Sequence, residues 1–120
     1  MGWDKDAAVQ WAKNHAQPHS TSFCARYVAR AVVAGGVRVT GANALDFGGS
    51  LRVVGFTEMS NNTEPVKGDI AVIQPIPGHP YGHTAIYDGE SWYSDFKQRT
   101  MYPGSAYRAL KPDYKIYRML

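Results

Sequence analysis

Ala25, Val28, Ala29 and Val32 recur at i, i+3, i+4 and i+7, the spacing that lines one face of an α-helix. Arg26 and Arg30 fall on another face, and Gly35-Gly36 supplies the stop. Ahead of the run, Ser20-Thr21-Ser22 offers three hydroxyls, any of which can accept a bond from a free N–H of the first turn. An earlier helix is expected over 4–15, with Ala8, Trp11, Ala12 and His15 on one side. Gln17-Pro18-His19 breaks it, because proline pushes the preceding residue out of the helical region. A third helix is expected over 42–54, weakened by Gly48-Gly49 and ended at Gly55, with Phe56 turned into the core. The polar run 60–65 reads as a loop.

Beyond Lys67-Gly68 the period changes. Residues 69–73 form a short β-branched run between turn residues, the mark of a buried strand. Residues 74–82 hold three prolines and two of the chain's glycines and must be a loop. Residues 83–87 and 91–96 read as two strands of a hairpin joined across Asp88-Gly89-Glu90. Tyr102-Pro103-Gly104 turns the chain, and 114–119 alternates like a last, half-exposed strand. Helices followed by antiparallel strands predict an α+β fold in a single domain over 1–120. Its helical part covers about 1–56 and its sheet part about 66–120, with the helices on one side of the sheet.

Composition narrows the function classes. The 120 residues suffice for one core, and 19% charged residues indicate neither disorder nor a membrane protein. The net charge of +3 is scattered, which is too weak to argue for nucleic acid. One cysteine forbids an internal disulfide, and no Cys/His spacing suits zinc. No metal or other cofactor is expected. No basic region followed by an apolar run opens the chain, so no signal peptide and no membrane insertion are expected.

That cysteine, Cys24, falls in the first turn of the second helix, where free N–H groups and the helix dipole favour a thiolate. A small, inert core residue is the plain alternative. A nucleophilic thiol needs a base, and histidine suits that work near neutral pH. His15 and His79 read as surface or hydrogen-bonded residues, His19 lies near Cys24 along the chain, and His83 opens a strand after Gly82. His79 and His83 are four apart, but Pro80 and Gly82 exclude the helix that would make them a metal pair.

Three stretches resemble a known superfamily. Cys24-Ala25-Arg26-Tyr27-Val28-Ala29 resembles the nucleophile helix of CHAP-type cysteine amidases. Lys67-Gly68-Asp69-Ile70-Ala71-Val72, with Gly82-His83-Thr84-Ala85-Ile86-Tyr87-Asp88-Gly89, resembles the catalytic-histidine hairpin of the NlpC/P60–CHAP superfamily. Trp92-Tyr93-Ser94-Asp95-Phe96 looks like the strand that supplies a third polar residue. The nucleophile carries Ser-Phe-Cys-Ala rather than the Asp-Cys-Ser-Gly of NlpC/P60 proteins proper. The chain therefore stands closer to CHAP domains and to the small type VI secretion amidase effectors.

The resemblance implies a papain-like fold and a Cys-His-polar site that cuts amide bonds of the peptidoglycan stem peptide. Cys24 would be the nucleophile, His83 the base and then acid, and Asp95 the group that orients the imidazole. N–H groups of the helix start, that of Cys24 among them, would hold the oxyanion. Tyr81, in the proline-rich loop, is a candidate substrate contact. For Asp95 to face His83, the hairpin needs a three-residue connection over 88–90 or a bulge, since a two-residue turn would set Ser94 opposite His83. A delivered toxin of this kind or a phage lysin fits a chain without an export signal, acting in the periplasm or wall. A toxin would bring with it a cognate immunity protein. A papain-like hydrolase or deamidase of proteins, and an inactive binding module of the same fold, are the other readings.

Overall fold

The computed structural model describes residues 2–40, 43–60 and 62–120. Asp4 starts the first helix by accepting the N–H of Ala7 at 3.0 Å, and α1 runs Lys5–His15. The second helix, α2 (Cys24–Ala34), begins later than its hydroxyl residues. Ser22 has φ 70°, outside the helical region, so the cap position falls to Phe23, whose side chain makes no capping bond. The hydroxyl cap expected from residues 20–22 is therefore not formed. At the other end the Gly35 N–H bonds Ala31 O and Val32 O, as its stop signal predicts. A Cβ on Gly35 would run into Trp3 and the Asp4 carbonyl, so its bareness lets the first segment pack close to α2.

The third helix, α3, spans Ala44–Val53. Ala42, expected inside it, lies outside the described residues, as does Asn61 of the loop that follows. Gly48 is less a weak point than a contact, because a Cβ there would strike the Tyr117 ring and hydroxyl. Through it α3 presses directly on the sheet.

That sheet has five strands, β1 (Thr57–Glu58), β2 (Ile70–Ile73), β3 (His83–Tyr87), β4 (Trp92–Tyr93) and β5 (Tyr114–Arg118). Their order is β1-β5-β2-β3-β4, and every pairing is antiparallel. β1 carries no apolar alternation, and both its residues are exposed, which is why the sequence pattern misses it. On one face Ile70, Val72, Ile86, Tyr93 and Tyr117 pack against Val28, Val32, Phe47 and Leu51 of the helices. On the other face Ala71, Ile73, Ala85, Trp92 and Ile116 pack against Tyr107 of a fourth helix, α4 (Ser105–Leu110). The expectation of helices on one side only is thus corrected. A sheet buried on both faces needs a second cover, and α4 with its flanking loops provides it.

β4 is shorter than the expected 91–96. After Tyr93 the chain folds back on itself, with Tyr93 bridged to Lys97 and the Gln98 N–H bonded to Trp92 O at 2.8 Å. The hairpin before it pairs Tyr87 with Trp92, so the connection is four residues, 88–91. Asp88 builds it by accepting the N–H groups of Glu90 and Ser91 and donating its own N–H to Ser91 O. Neither the three-residue connection nor the bulge expected from sequence forms.

Candidate functional site

Cys24 at the start of α2 and His83 at the start of β3 line one open groove of about 530 Å³. α2 packs across β3, which is what brings the two helix and strand starts to the same edge. Asp95, Arg26, His79 and Tyr81 line the same groove. His83 is buried, and its ring lies against Tyr107 with centroids 6.0 Å apart. Tyr107 also meets the exposed His79 ring, at 5.2 Å, so both histidines of the groove lie against α4.

Gly82 sets the entry of β3. It has φ +72°, and a Cβ would collide with the Ile73 carbonyl of the neighbouring strand. Gly82→Ala is expected to cost about 1–3 kcal/mol. Thermal unfolding of the purified variant measures it, and a midpoint equal to wild type would show that the turn can relax.

Asp95 reaches the groove but makes its hydrogen bonds away from the imidazole. It is fully buried, and its Oδ2 accepts the Thr21 N–H at 2.5 Å, the Thr21 hydroxyl at 2.8 Å and the Phe23 N–H at 3.4 Å. Its backbone carbonyl takes the Gln17 N–H at 2.7 Å. Asp95 therefore clamps the connector between α1 and α2, through N–H groups that lie before the first turn of α2. The hydrogen bond to His83 expected of it is made by Gln98, whose Oε1 lies 2.6 Å from His83 Nε2. β4 ends at Tyr93, and the fold-back that follows takes Asp95 out of the sheet and against the connector before α2.

No family model matches the sequence, and no curated protein matches it. Solved structures do. The crystal structure of the type VI native effector-immunity complex Tae3-Tai3 from Ralstonia pickettii contains a chain 47% identical to this one. The match covers 98% of this chain and 100% of that one, with a TM-score of 0.93. In the SeMet form of the same complex the match has 49% identity, covers 92% and 98% of the two chains, and has a TM-score of 0.87. The chain belongs to the Tae3 family of type VI effectors.

In this effector, burial pushes the Cys24 thiol up, and the nearby Asp95 charge adds to that. Backbone hydrogen bonds from Thr84, Ala25 and Cys24 itself pull the other way without prevailing. Burial holds His83 below its ordinary value of 6.5, against the Gln98 bond and the Asp95 charge. Both directions favour the uncharged forms, a thiol and a neutral imidazole, over the thiolate that the helix start favours. Alkylation of Cys24 by iodoacetamide at pH 6 is expected to be no faster than that of an unstructured peptide thiol, rising only as pH climbs. A rate plateau reached below pH 7 would instead reveal an ion pair. Protonating His83 also costs stability. The unfolded chain takes that proton first, so the contribution is whole above about pH 6.5 and is lost as pH falls through the folded value.

Of the remaining histidines, His15 is tied to Trp11, stacked on its ring at 3.8 Å and bonded to its carbonyl through Nδ1. His19 is exposed and does not line the groove. His79 is exposed, as its sequence reading has it, and lines the groove from the surface. Gln98 and Tyr107 escaped sequence reading altogether, because neither stands within a recognisable motif and both reach the site through the fold. Among the described residues no cluster of three or more His, Cys, Asp or Glu is placed to hold a metal ion. No helix among them is long and apolar enough to cross a membrane.

Proposed function

We propose that this effector is a peptidoglycan amidase with a papain-like NlpC/P60–CHAP catalytic domain, in which Cys24 and His83 hydrolyse an amide of the stem peptide. The carrying observation is that the one thiol and a buried imidazole line a single open groove. The 47% identity to a chain of an effector-immunity complex supports the antibacterial setting over a phage lysin.

Cys24 Sγ attacks the scissile carbonyl while His83 removes the thiol proton, so that charge develops only as the bond forms. The tetrahedral oxyanion meets N–H groups of the first turn of α2, which carry the positive end of the helix dipole. His83 then gives its proton to the leaving amine, and the C–N bond breaks to leave an acyl-thioester. Water, deprotonated by His83, attacks the thioester, and the thiol leaves with the proton. Tyr81, 60% exposed on the groove rim, is placed to contact the peptide. A cognate immunity protein would cover the groove and could use the exposed rim residues Phe23 and Tyr81.

Purified protein incubated with Gram-negative sacculi tests the reading. Soluble muropeptides with one newly exposed amine and carboxylate are expected, and mass spectrometry identifies the bond. In cells, the chain fused to a periplasmic export signal should cause lysis, while cytoplasmic expression should be nearly harmless. Intact sacculi and equal growth in both compartments would overturn the assignment.

A further inference from the structure

A second pocket, of about 750 Å³, is larger than the groove and takes no part in that chemistry. Gln74, Tyr102, Lys111, Asp113, Tyr114 and Lys115 build much of its wall. The strand register sets it beside the groove. Ile73 pairs with His83 of β3 on one side and with Tyr114 of β5 on the other. Directly opposed residues share a sheet face, so Tyr114, Ile73 and His83 form one row on the face that α4 covers. Two strand spacings, about 10 Å, separate the ends of that row.

The lining chemistry fits an uncharged sugar. The Tyr102 and Tyr114 rings stand nearly perpendicular, 6.1 Å apart, and Tyr102 is fixed by its hydroxyl donating to Pro112 O at 2.6 Å. Such a pair offers a flat apolar face with polar tips, which the C–H edges of a pyranose ring can cover. The backbone N–H of Gln74 is held by Asp113 O at 2.9 Å. Its side-chain amide, at the pocket wall, can both donate to and accept from an acetamido group. The charges offset one another: Lys115 lies 3.4 Å from Glu58, and Lys111 shares the wall with Asp113. A wall without net charge suits the glycan strand of peptidoglycan better than its stem peptide. The hexosamines of that strand are N-acetylated, and the lactyl carboxylate is tied up in the amide that carries the peptide.

We propose that this pocket is a glycan subsite: it binds an N-acetylated hexosamine of the strand and directs Cys24 to stem peptides still attached to their sugar. The second half rests on the amidase reading above, whereas sugar binding at the pocket does not. Gripping both parts of one polymer makes docking of the amide intramolecular, which raises its effective concentration at the groove.

NMR titration of isotope-labelled Cys24→Ala protein with an N-acetylglucosamine tetramer reads binding without any cleavage. Millimolar tetramer is expected to shift the backbone amide signals of Gln74, Tyr102 and Tyr114 most. No shifts at that concentration, or shifts centred on the groove, overturn the proposal. Gln74→Ala and Tyr114→Leu should each weaken binding roughly 3–10-fold, the worth of one such contact. Gln74 lies outside the strands, so its variant keeps the comparison open if Tyr114→Leu folds poorly. In turnover, wild type is expected to show a KM for a disaccharide-bearing muropeptide roughly 3–10-fold below that for the sugar-free stem peptide. Gln74→Ala should narrow that gap by raising KM on the muropeptide alone, with kcat little changed. Equal KM values for the two substrates in wild type overturn the proposal. Should wild type cut neither substrate, the amidase reading fails, and the titration still decides the pocket.

Discussion

Cys24→Ala is expected to abolish hydrolysis while leaving the fold in place. Removing the nucleophile of a site whose members act together costs roughly 10⁴–10⁶-fold in kcat, the remainder coming from binding and oxyanion stabilisation. The fold should tolerate it, because Cys24 is only partly buried and alanine is a better helix former than cysteine. A thermal midpoint within about 4 °C of wild type, equivalent to about 1 kcal/mol, would meet that expectation. Release of muropeptides from sacculi by the variant gives the comparison. Retention of most of the activity in a folded Cys24→Ala protein would remove the thiol from the mechanism. His83→Ala should come close to the same loss, since an unassisted thiol is a weak nucleophile at neutral pH.

Arg118→Met is expected to be the most damaging single change far from the groove. Asp69 is fully buried, and Arg118 at the end of β5 meets it with Nε and Nη2, each at 2.8 Å. The carboxylate also accepts the Val66 N–H at 2.9 Å, and Arg118 reaches the Glu64 carbonyl at 3.2 Å. This fork ties the loop before β2 to β5. Removing the guanidinium strands a buried carboxylate, a loss of about 3–5 kcal/mol. For a domain of this size that lowers Tm by roughly 10–20 °C. Adding Asp69→Asn to the variant should restore part of the stability, because the stranded charge is then gone. Calorimetry of the three proteins checks both statements. A single variant as stable as wild type would mean that water already serves Asp69.

Arg118 and Asp69 also show why pattern reading has a limit. Asp69 looked like the first residue of a strand, and Arg118 like part of another, half-exposed one. Their meeting depends on β5 inserting beside β2, a pairing across more than forty residues that no local period encodes. The helix α4 was missed for a related reason. Its six residues show no full apolar face, and only Tyr107 is buried. Burial of the sheet's second face, rather than propensity, holds it in place.

What the sequence determined by itself was the local code. Periodicity placed α1, α2 and α3, β-branched runs placed β2, and the Gly82-His83 junction placed the start of β3. It also singled out Cys24 and His83, whose positions at a helix start and a strand start follow from neighbours a few residues away. Tertiary structure decided the rest. The hairpin took four residues instead of three, with Asp88 accepting two N–H groups there, and β4 ended at Tyr93, so Asp95 left the sheet to hold the connector before α2. The fold-back after Tyr93 then carried Gln98 to the imidazole, across fifteen residues of chain. Burial overrode the helix dipole at Cys24, since the cost of desolvating a thiolate depends on everything packed around it and not on its place in one helix.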